Sequence, residues 1–168
     1  MYNDIFDENK MQKLQDLLRE HKKTITSAES CTGGLIASMI TELSGSSDIF
    51  NGAIVSYSNE IKMQELKVKK EHLDSHGAVS IEVVNDMLNG AMNKFNADFA
   101  LATSGIAGPT GATKNKPVGT VVIGIGSKEH GNIIDVYHFT GDRKSVQIQA
   151  AKTSFEKFSI FFQKTLDK

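Results

Sequence analysis

The residues with the clearest chemical potential lie between positions 27 and 34, where the chain reads Ser-Ala-Glu-Ser-Cys-Thr-Gly-Gly. A short β-branched run precedes this stretch, and apolar residues at helical spacing follow it up to about Leu43. The hydroxyls, the thiol and the glycines therefore fall on a predicted strand-to-helix turn. Such a turn directs backbone N–H groups towards one point, where they can bind an anion or stabilise an oxyanion. Ordinary helix caps use the same residue types, so a purely structural connection is the alternative interpretation.

Two side chains of this turn are candidate nucleophiles. Ser30 requires a base, because a free serine hydroxyl is only weakly acidic. A lysine that desolvation keeps neutral can accept the proton, and Lys62 follows the next predicted strand, at 50–57, closely enough to reach the turn. A solvated surface lysine is the alternative interpretation of Lys62. Cys31 is the rival nucleophile, because a helix N-terminus lowers the pKa of a thiol, although a buried cysteine is usually inert.

A second glycine-rich stretch, 104–111, follows a predicted buried strand at 98–103. It lacks the Gly-Lys-Ser/Thr ending of a phosphate-binding P-loop and the spacing of a dinucleotide fingerprint. Its small residues would let a ligand approach the backbone closely, and a long loop without function is the alternative. Arg143 begins the last predicted helix, where its charge opposes the helix dipole. This placement indicates either an anionic ligand or a simple exposed arginine.

Predicted helices alternate with predicted strands along the chain. Amphipathic patterns indicate helices at 7–21, 35–43, 80–95 and from 143 onwards, a short helix at 60–66 and a turn at 71–75. Ser80 and Asp142 are the expected N-caps of two of these helices. The core face of the last helix is expected to contain apolar residues that include Phe155, Phe158 and Ile160.

The strand pattern predicts the fold class. Two further strands are expected at 118–126 and 132–139, and their spacing indicates an antiparallel hairpin. We therefore expect an α/β fold, a three-layer αβα domain with a mixed β-sheet, covering residues 1–168 as one domain. Both glycine-containing loops leave the carboxyl ends of strands, so they can face each other across one crevice.

The composition is that of a soluble globular protein. Of 168 residues, 39% are hydrophobic and 23% charged, and the formal net charge is −1. This balance provides no global field that would attract nucleic acid or a membrane surface. The single cysteine excludes an internal disulfide. Neither a signal peptide nor a membrane-spanning run is recognisable, so we expect a cytoplasmic protein.

Metal binding has little support in the sequence. His72 and His76 would share one face of a helix, which is the minimal spacing for two metal ligands. No third ligand stands in a recognisable motif with them. We therefore expect neither a metal nor another cofactor.

Six motifs together resemble the CinA C-terminal domain family, which includes the nicotinamide-nucleotide amidases. They occur in family order at 27–34, 55–62, 77–80, 103–109, 116–120 and 141–143. The resemblance extends over nearly the whole chain, from about 14 to 161. It implies hydrolysis of the carboxamide of nicotinamide mononucleotide (NMN) to nicotinate mononucleotide and ammonia, a reaction of pyridine nucleotide salvage.

The resemblance also implies roles for individual residues. Ser30 resembles the family nucleophile, and Lys62 and Tyr57 resemble its activating partners. The substrate pocket is implied to contain Cys31, Thr32, Gly33, Gly34, Thr103, Ser104, Gly105 and Arg143. In this arrangement the amides near Gly33 and Gly34 would hold the oxyanion, and Arg143 would suit a 5′-phosphate.

Two positions depart from the family pattern. The chain has Gly111-Ala112 where Gly-Gly is common, and Gln147 where a second arginine often follows Gly-Asp-Arg. The missing charge bears on phosphate affinity. The alternative functions are therefore a nucleotide-binding module without turnover and an accessory protein of the competence and damage-inducible type that acts through a partner surface. The resemblance implies a homo-oligomer, for which we expect a dimer, and no nucleic-acid partner.

Overall fold

A five-stranded sheet forms the centre of the molecule in the computed structural model, which describes residues 1–167. The strands are β1 (Ile25–Glu29), β2 (Ala53–Val55), β3 (Phe99–Gly105), β4 (Thr120–Ser127) and β5 (Ile133–His138). Their order across the sheet is β2-β1-β3-β4-β5. β1 runs parallel to β2 and β3, whereas the β3–β4 and β4–β5 pairs are antiparallel. The predicted mixed sheet and its terminal hairpin are confirmed.

Helices cover both faces of the sheet. One face carries α1 (Glu8–Glu20), α2 (Leu35–Thr41) and α6 (Arg143–Leu166). The other face carries α3 (Asn59–Leu66), α4 (Lys70–His76) and α5 (Ile81–Phe95). Each face buries its own apolar core, so the predicted three-layer αβα architecture is confirmed. Within residues 1–167, no helix combines the length and apolarity that a membrane crossing requires.

Aromatic packing and close helix approach hold the layers in place. The ring of Phe99 in β3 lies 5.1 Å from that of Phe162 and 5.4 Å from that of Phe158, in edge-to-face geometry. On the other face, a Cβ added to Gly90 of α5 would lie 1.9 Å from the carbonyl oxygen of Leu66. Gly90 therefore lets α5 pack directly against the end of α3, the helix that carries Lys62.

Side-chain caps define where the helices begin. Ser80 and Asp142 accept hydrogen bonds from the third N–H of α5 and α6, at 3.3 and 2.8 Å, as predicted. Ser58 caps α3 in the same way, accepting from Ile61 N–H at 3.2 Å. Lys62 lies one helical turn after Ser58. The cap therefore fixes where on α3 the Lys62 side chain begins.

Some predicted boundaries are wrong. The second strand has only three residues and pairs with β1 alone. The expected turn at 71–75 lies within α4, a helix of seven residues. Ser104 and Gly105, expected in a loop, continue β3 because they pair with Val122 and Val121 of β4. Ile160 is 54% exposed rather than buried, because it lines an open groove between α6 and β5.

The connections of the sheet create a switch point beside β1. From β1 the chain crosses through α2 to β2, then returns over the opposite face through α3, α4 and α5 to β3. Ligands of α/β proteins bind outside the carboxyl ends of strands at such a point. The turn after β1 and the loop after β3 both lie there, because these two strands are parallel neighbours.

Candidate active site

Ser30 lies at the carboxyl end of β1. Its N–H donates to the carbonyl oxygen of Thr103 at 3.0 Å, which extends the β1–β3 pairing by one residue. Gly33 and Gly34 have φ angles of +60° and +98°, a region that side-chain-bearing residues rarely adopt. The tight turn after Ser30 therefore requires glycine at these positions.

A buried carboxylate organises the residues around this turn. Glu29 is completely buried and accepts hydrogen bonds from the N–H groups of Ile36 and Ala37, each at 2.9 Å, at the start of α2. The hydroxyls of Thr32 and Ser27 donate to the same carboxylate at 2.7 and 3.1 Å. Four donors offset the cost of burying the charge. The Glu29 carboxylate therefore occupies the N-terminus of α2. The expectation that this helix end binds an anionic ligand is wrong.

The two amides expected to hold an oxyanion are not equivalent. The Gly33 N–H donates to the carbonyl oxygen of Ser30 at 3.0 Å and closes the turn, so it is not free for a substrate. The Gly34 N–H finds no protein acceptor among residues 1–167. Of the predicted pair, Gly34 is therefore the candidate oxyanion donor.

Lys62 is buried beside Ser30. Its side chain is 2% exposed, and Nζ lies 3.0 Å from Ser30 Oγ and 2.6 Å from the carbonyl oxygen of Ser56. Ser56 is in turn fixed to β1, because its N–H donates to the carbonyl oxygen of Glu29 at 2.7 Å. Burial lowers the pKa of Lys62 from 10.5 to about 8, and the nearby Cys31 thiol opposes this shift.

Tyr57 and Arg143 form a second pair at the mouth of the site. The Arg143 guanidinium hydrogen-bonds with the Tyr57 hydroxyl and donates to the carbonyl oxygen of Gly108 at 2.8 Å. Arg143 is the first residue of α6, and Tyr57 is 60% exposed. Among residues 1–167 the hydroxyl of Tyr57 therefore contacts Arg143, not the Ser30–Lys62 pair that it was expected to activate. Its placement fits ligand binding better than proton transfer.

Cys31 is buried, and its thiol is uncharged near neutral pH. It is 4% exposed, and burial raises the pKa of its thiol to about 12. Only a negligible fraction of this thiol ionises near neutral pH, which weakens its candidacy as the nucleophile. The side-chain amide of Gln147 donates to the Cys31 carbonyl oxygen at 3.0 Å. Gln147 thus supports the backbone of the turn.

The predicted pocket side chains on β3, those of Thr103 and Ser104, are buried and already form hydrogen bonds within the protein. The Thr103 and Thr32 hydroxyls are 2.8 Å apart and buried, and Ser104 Oγ donates to the carbonyl oxygen of Ala78 at 2.8 Å. A Cβ on Gly105 would meet the backbone of β4 within 2.9 Å. These residues therefore position the strands that form the site, whichever further contacts they make with a ligand.

The histidine pair lies outside this site. His72 Nδ1 is 2.7 Å from Asp86 Oδ2, and His76 Nδ1 is 3.8 Å from Glu82 Oε2. Within residues 1–167, no three His, Cys, Asp or Glu side chains cluster closely enough to hold a metal ion.

Sequence reasoning missed Glu29, Ser56 and Gly108. A signal existed for Glu29, because a carboxylate inside a short β-branched run is unusual for a buried strand. The other two contribute backbone carbonyl oxygens, which any residue type carries, so the sequence holds no signal for them.

Residues 7–161 match the family described as the CinA C-terminal domain. The chain belongs to this family. A CinA-like protein of Syntrophomonas wolfei is 52% identical over 136 residues, which is 80% of this chain and 32% of that protein. A CinA-like protein of Thermotoga maritima is 43% identical over 150 residues, 89% of this chain and 36% of that protein. The CinA domain described here thus spans about a third of the length of these relatives.

Solved CinA structures share the fold closely. The competence/damage inducible protein CihA from Agrobacterium tumefaciens superposes with a TM-score of 0.88 at 32% identity, covering 91% of this chain and 93% of that one. The competence damage-inducible protein A from Klebsiella pneumoniae gives 0.86 at 30% identity, covering 90% and 93%. These names refer to competence and damage induction and state no reaction.

Proposed function

We propose that this CinA domain is an amidohydrolase that deamidates NMN, with Ser30 as the nucleophile and Lys62 as its base. The observation that carries the proposal is the 3.0 Å contact between Lys62 Nζ and Ser30 Oγ, made by a lysine whose pKa burial lowers to about 8. A base with a pKa near the working pH combines availability with proton affinity. The resemblance to the amidases of the family supports the carboxamide as the reacting group.

The proposed reaction balances in atoms and protons. Neutral Lys62 Nζ takes the hydroxyl proton as Ser30 Oγ attacks the carboxamide carbon, and the Gly34 N–H is the candidate donor to the resulting oxyanion. Protonated Lys62 then gives its proton to the amide nitrogen, so ammonia leaves and an ester remains on Ser30. Lys62 next deprotonates a water that attacks the ester. Protonated Lys62 returns its proton to Ser30 Oγ as the carboxylic acid leaves, and the acid loses its remaining proton to solvent or to the released ammonia.

Arg143 supports a nucleotide with an anionic group. Its guanidinium carries five N–H donors, and the contacts with Gly108 and Tyr57 use only part of them. Arg143 and Tyr57 are both exposed, so a ligand can reach the guanidinium. A 5′-phosphate suits such a planar set of donors.

Ammonia release from NMN by the purified protein tests the proposed function. We expect turnover by the wild-type protein and its loss in Ser30→Ala, while Cys31→Ala, a change of similar size one residue away, retains activity. Activity in Ser30→Ala with an inactive Cys31→Ala would move the nucleophile to the cysteine. No ammonia from the folded wild-type protein would refute the amidase proposal.

Gln147 supports one alternative, a nucleotide-binding module without turnover. The glutamine side chain is neutral, so this position offers no positive charge to a phosphate. Its amide is also engaged already, because it donates to the Cys31 carbonyl oxygen. Calorimetric titration of the wild-type protein with NMN distinguishes the two functions. Tight binding with no ammonia released indicates the module, whereas binding accompanied by turnover indicates the enzyme.

A further inference from the structure

Large hydrophobic side chains are exposed at two places on the described chain, apart from Met1. Val55, Tyr57 and Val118 border the mouth of the candidate active site. The second group surrounds β5, far along the sheet from β1, and consists of Ile81, Ile133, Val136 and Ile160. Single exposed apolar residues are common on protein surfaces, but a cluster of them around one strand indicates an interaction surface.

β5 is an open edge of the sheet. The opposite edge, β2, has only three residues, and short edge strands resist further pairing. β5 has six residues and contains neither proline nor lysine, the residues that commonly protect an edge. Asp135 is the one acidic residue of this strand. The long edge strand is therefore free to accept another strand.

The alternation of hydrogen bonds shows which groups of β5 point outwards. Phe139 N–H donates to Gly119 O at 2.8 Å, and Ser127 N–H donates to Gly131 O at 3.1 Å. Given the β4–β5 register, these bonds assign residues 133, 135 and 137 to the pairs that exchange hydrogen bonds with β4. The N–H and C=O groups of Ile134, Val136 and His138 consequently point away from the sheet.

Open grooves flank β5 on both faces. One, of about 200 Å³, lies against α6 and is lined by residues that include Ile133, Asp135, Lys157, Ile160 and Lys164. The other, of about 450 Å³, lies against α5 and is lined by residues that include Ile81, Asn85 and Ile134. The alternate side chains of an added strand would enter both grooves.

We propose that β5 pairs antiparallel with β5 of a second copy of this chain, about a twofold axis at Val136. In this register Val136 faces its equivalent and Ile134 faces His138, so all three outward residues of each copy are paired. The α6-side groove carries a carboxylate, Asp135, together with the amines of Lys157 and Lys164. A surface that holds both signs of charge can complement itself, as a twofold interface requires. The product is a continuous ten-stranded sheet.

Sedimentation velocity of the full chain tests the interface. We expect a dimer of the 18.3 kDa chain for the wild-type protein. Val136→Lys places two ammonium groups opposite each other and should weaken the dimer by at least about tenfold in dissociation constant. Val55→Lys is the matched control, because Val55 lies on the other edge strand and is 48% exposed, against 46% for Val136. Circular dichroism melting checks that both variants fold.

Oxidative cross-linking tests the register without weakening the interface. Cα atoms of a hydrogen-bonded antiparallel pair lie about 5.5 Å apart, within the range of a disulfide. Val136→Cys should therefore form a covalent dimer under mild oxidation, whereas Val55→Cys should not, and the native Cys31 is buried.

Three results would overturn this proposal. They are a wild-type protein that stays monomeric, a dimer that Val136→Lys leaves intact, and a dimer that cross-links through position 55 instead of 136. The interface is read from the oligomeric state and the amidase from ammonia release, and Val136 lies on the far edge of the sheet from Ser30 and Lys62, so failure of this interface and failure of the amidase proposal are distinguishable.

Discussion

The burial of Lys62 predicts a specific pH dependence for the reaction. With a pKa of about 8, the amine is neutral in roughly a tenth of the molecules at pH 7, against roughly one in 3,000 for a lysine at 10.5. Desolvation thus raises the concentration of the base by a factor of about 300. The rate of ammonia release should therefore rise about fivefold from pH 7 to pH 8 and by less than about twofold above pH 8.

Lys62→Arg isolates this effect. Arginine keeps the positive charge but stays protonated at all working pH values, so it cannot accept the serine proton. We expect turnover to fall by about 10²–10⁴-fold, the usual contribution of a general base, and the rising limb to disappear. Stopped assays from pH 7 to 9.5 measure the profile in a range where the phosphate of NMN is already at least about 90% doubly ionised.

The competing interpretation makes Lys62 an electrostatic support, with Tyr57 or a water molecule transferring the proton. In that case Lys62→Arg keeps most of its turnover and changes binding only modestly. A flat profile between pH 7 and 9 in the wild-type protein, or more than a tenth of its turnover in Lys62→Arg, would refute the reasoning from burial. A Tyr57→Phe variant with unchanged pH dependence would support it.

Three further predictions concern the residues around the site. Lys62→Met should stabilise the protein by about 3 kcal/mol in urea unfolding at pH 7, where the buried amine is charged. This gain should shrink as pH rises from 8 to 10.5, because the folded wild-type protein has then lost a proton that the unfolded chain retains; a gain that is constant with pH would contradict the assignment. Glu29→Gln should destabilise the fold by at least about 2 kcal/mol, since an amide cannot accept from all four donors, and an unchanged unfolding midpoint would be inconsistent with the network. Gln147→Arg should tighten NMN binding by about three- to tenfold in calorimetry, while Gln163→Arg, which adds the same charge at the far end of α6, should not.

The architecture was accessible from the sequence because periodic patterns carry it. The β-branched and apolar runs that form β1, β3 and β4 stand between amphipathic helices, so the layers follow from burial. Boundaries were harder, because pairing partners decide them. β2 ends after three residues where its contact with β1 ends, and β3 continues through Gly105 because β4 lies beside it.

The candidate site was only partly accessible. The sequence placed Ser30 on a strand-to-helix turn and Lys62 near it, but the depth of Lys62 depends on α3 being pressed against α5 at Gly90, a contact between distant segments. The same holds for Tyr57, whose contact with Arg143 joins residues 86 positions apart. The role of Glu29 depends on where α2 begins in space, which no local pattern encodes.

Covalent trapping tests the central claim most directly. Acid quenching during turnover of NMN, followed by mass spectrometry of proteolytic peptides, should detect a nicotinoyl-nucleotide ester on Ser30 in the wild-type protein and none in Ser30→Ala. Raising the pH from 7 to 8.5 should speed its formation, because more Lys62 is then neutral. An adduct on Cys31, or ammonia release at full rate with no adduct on Ser30 at any quench time, would contradict the account.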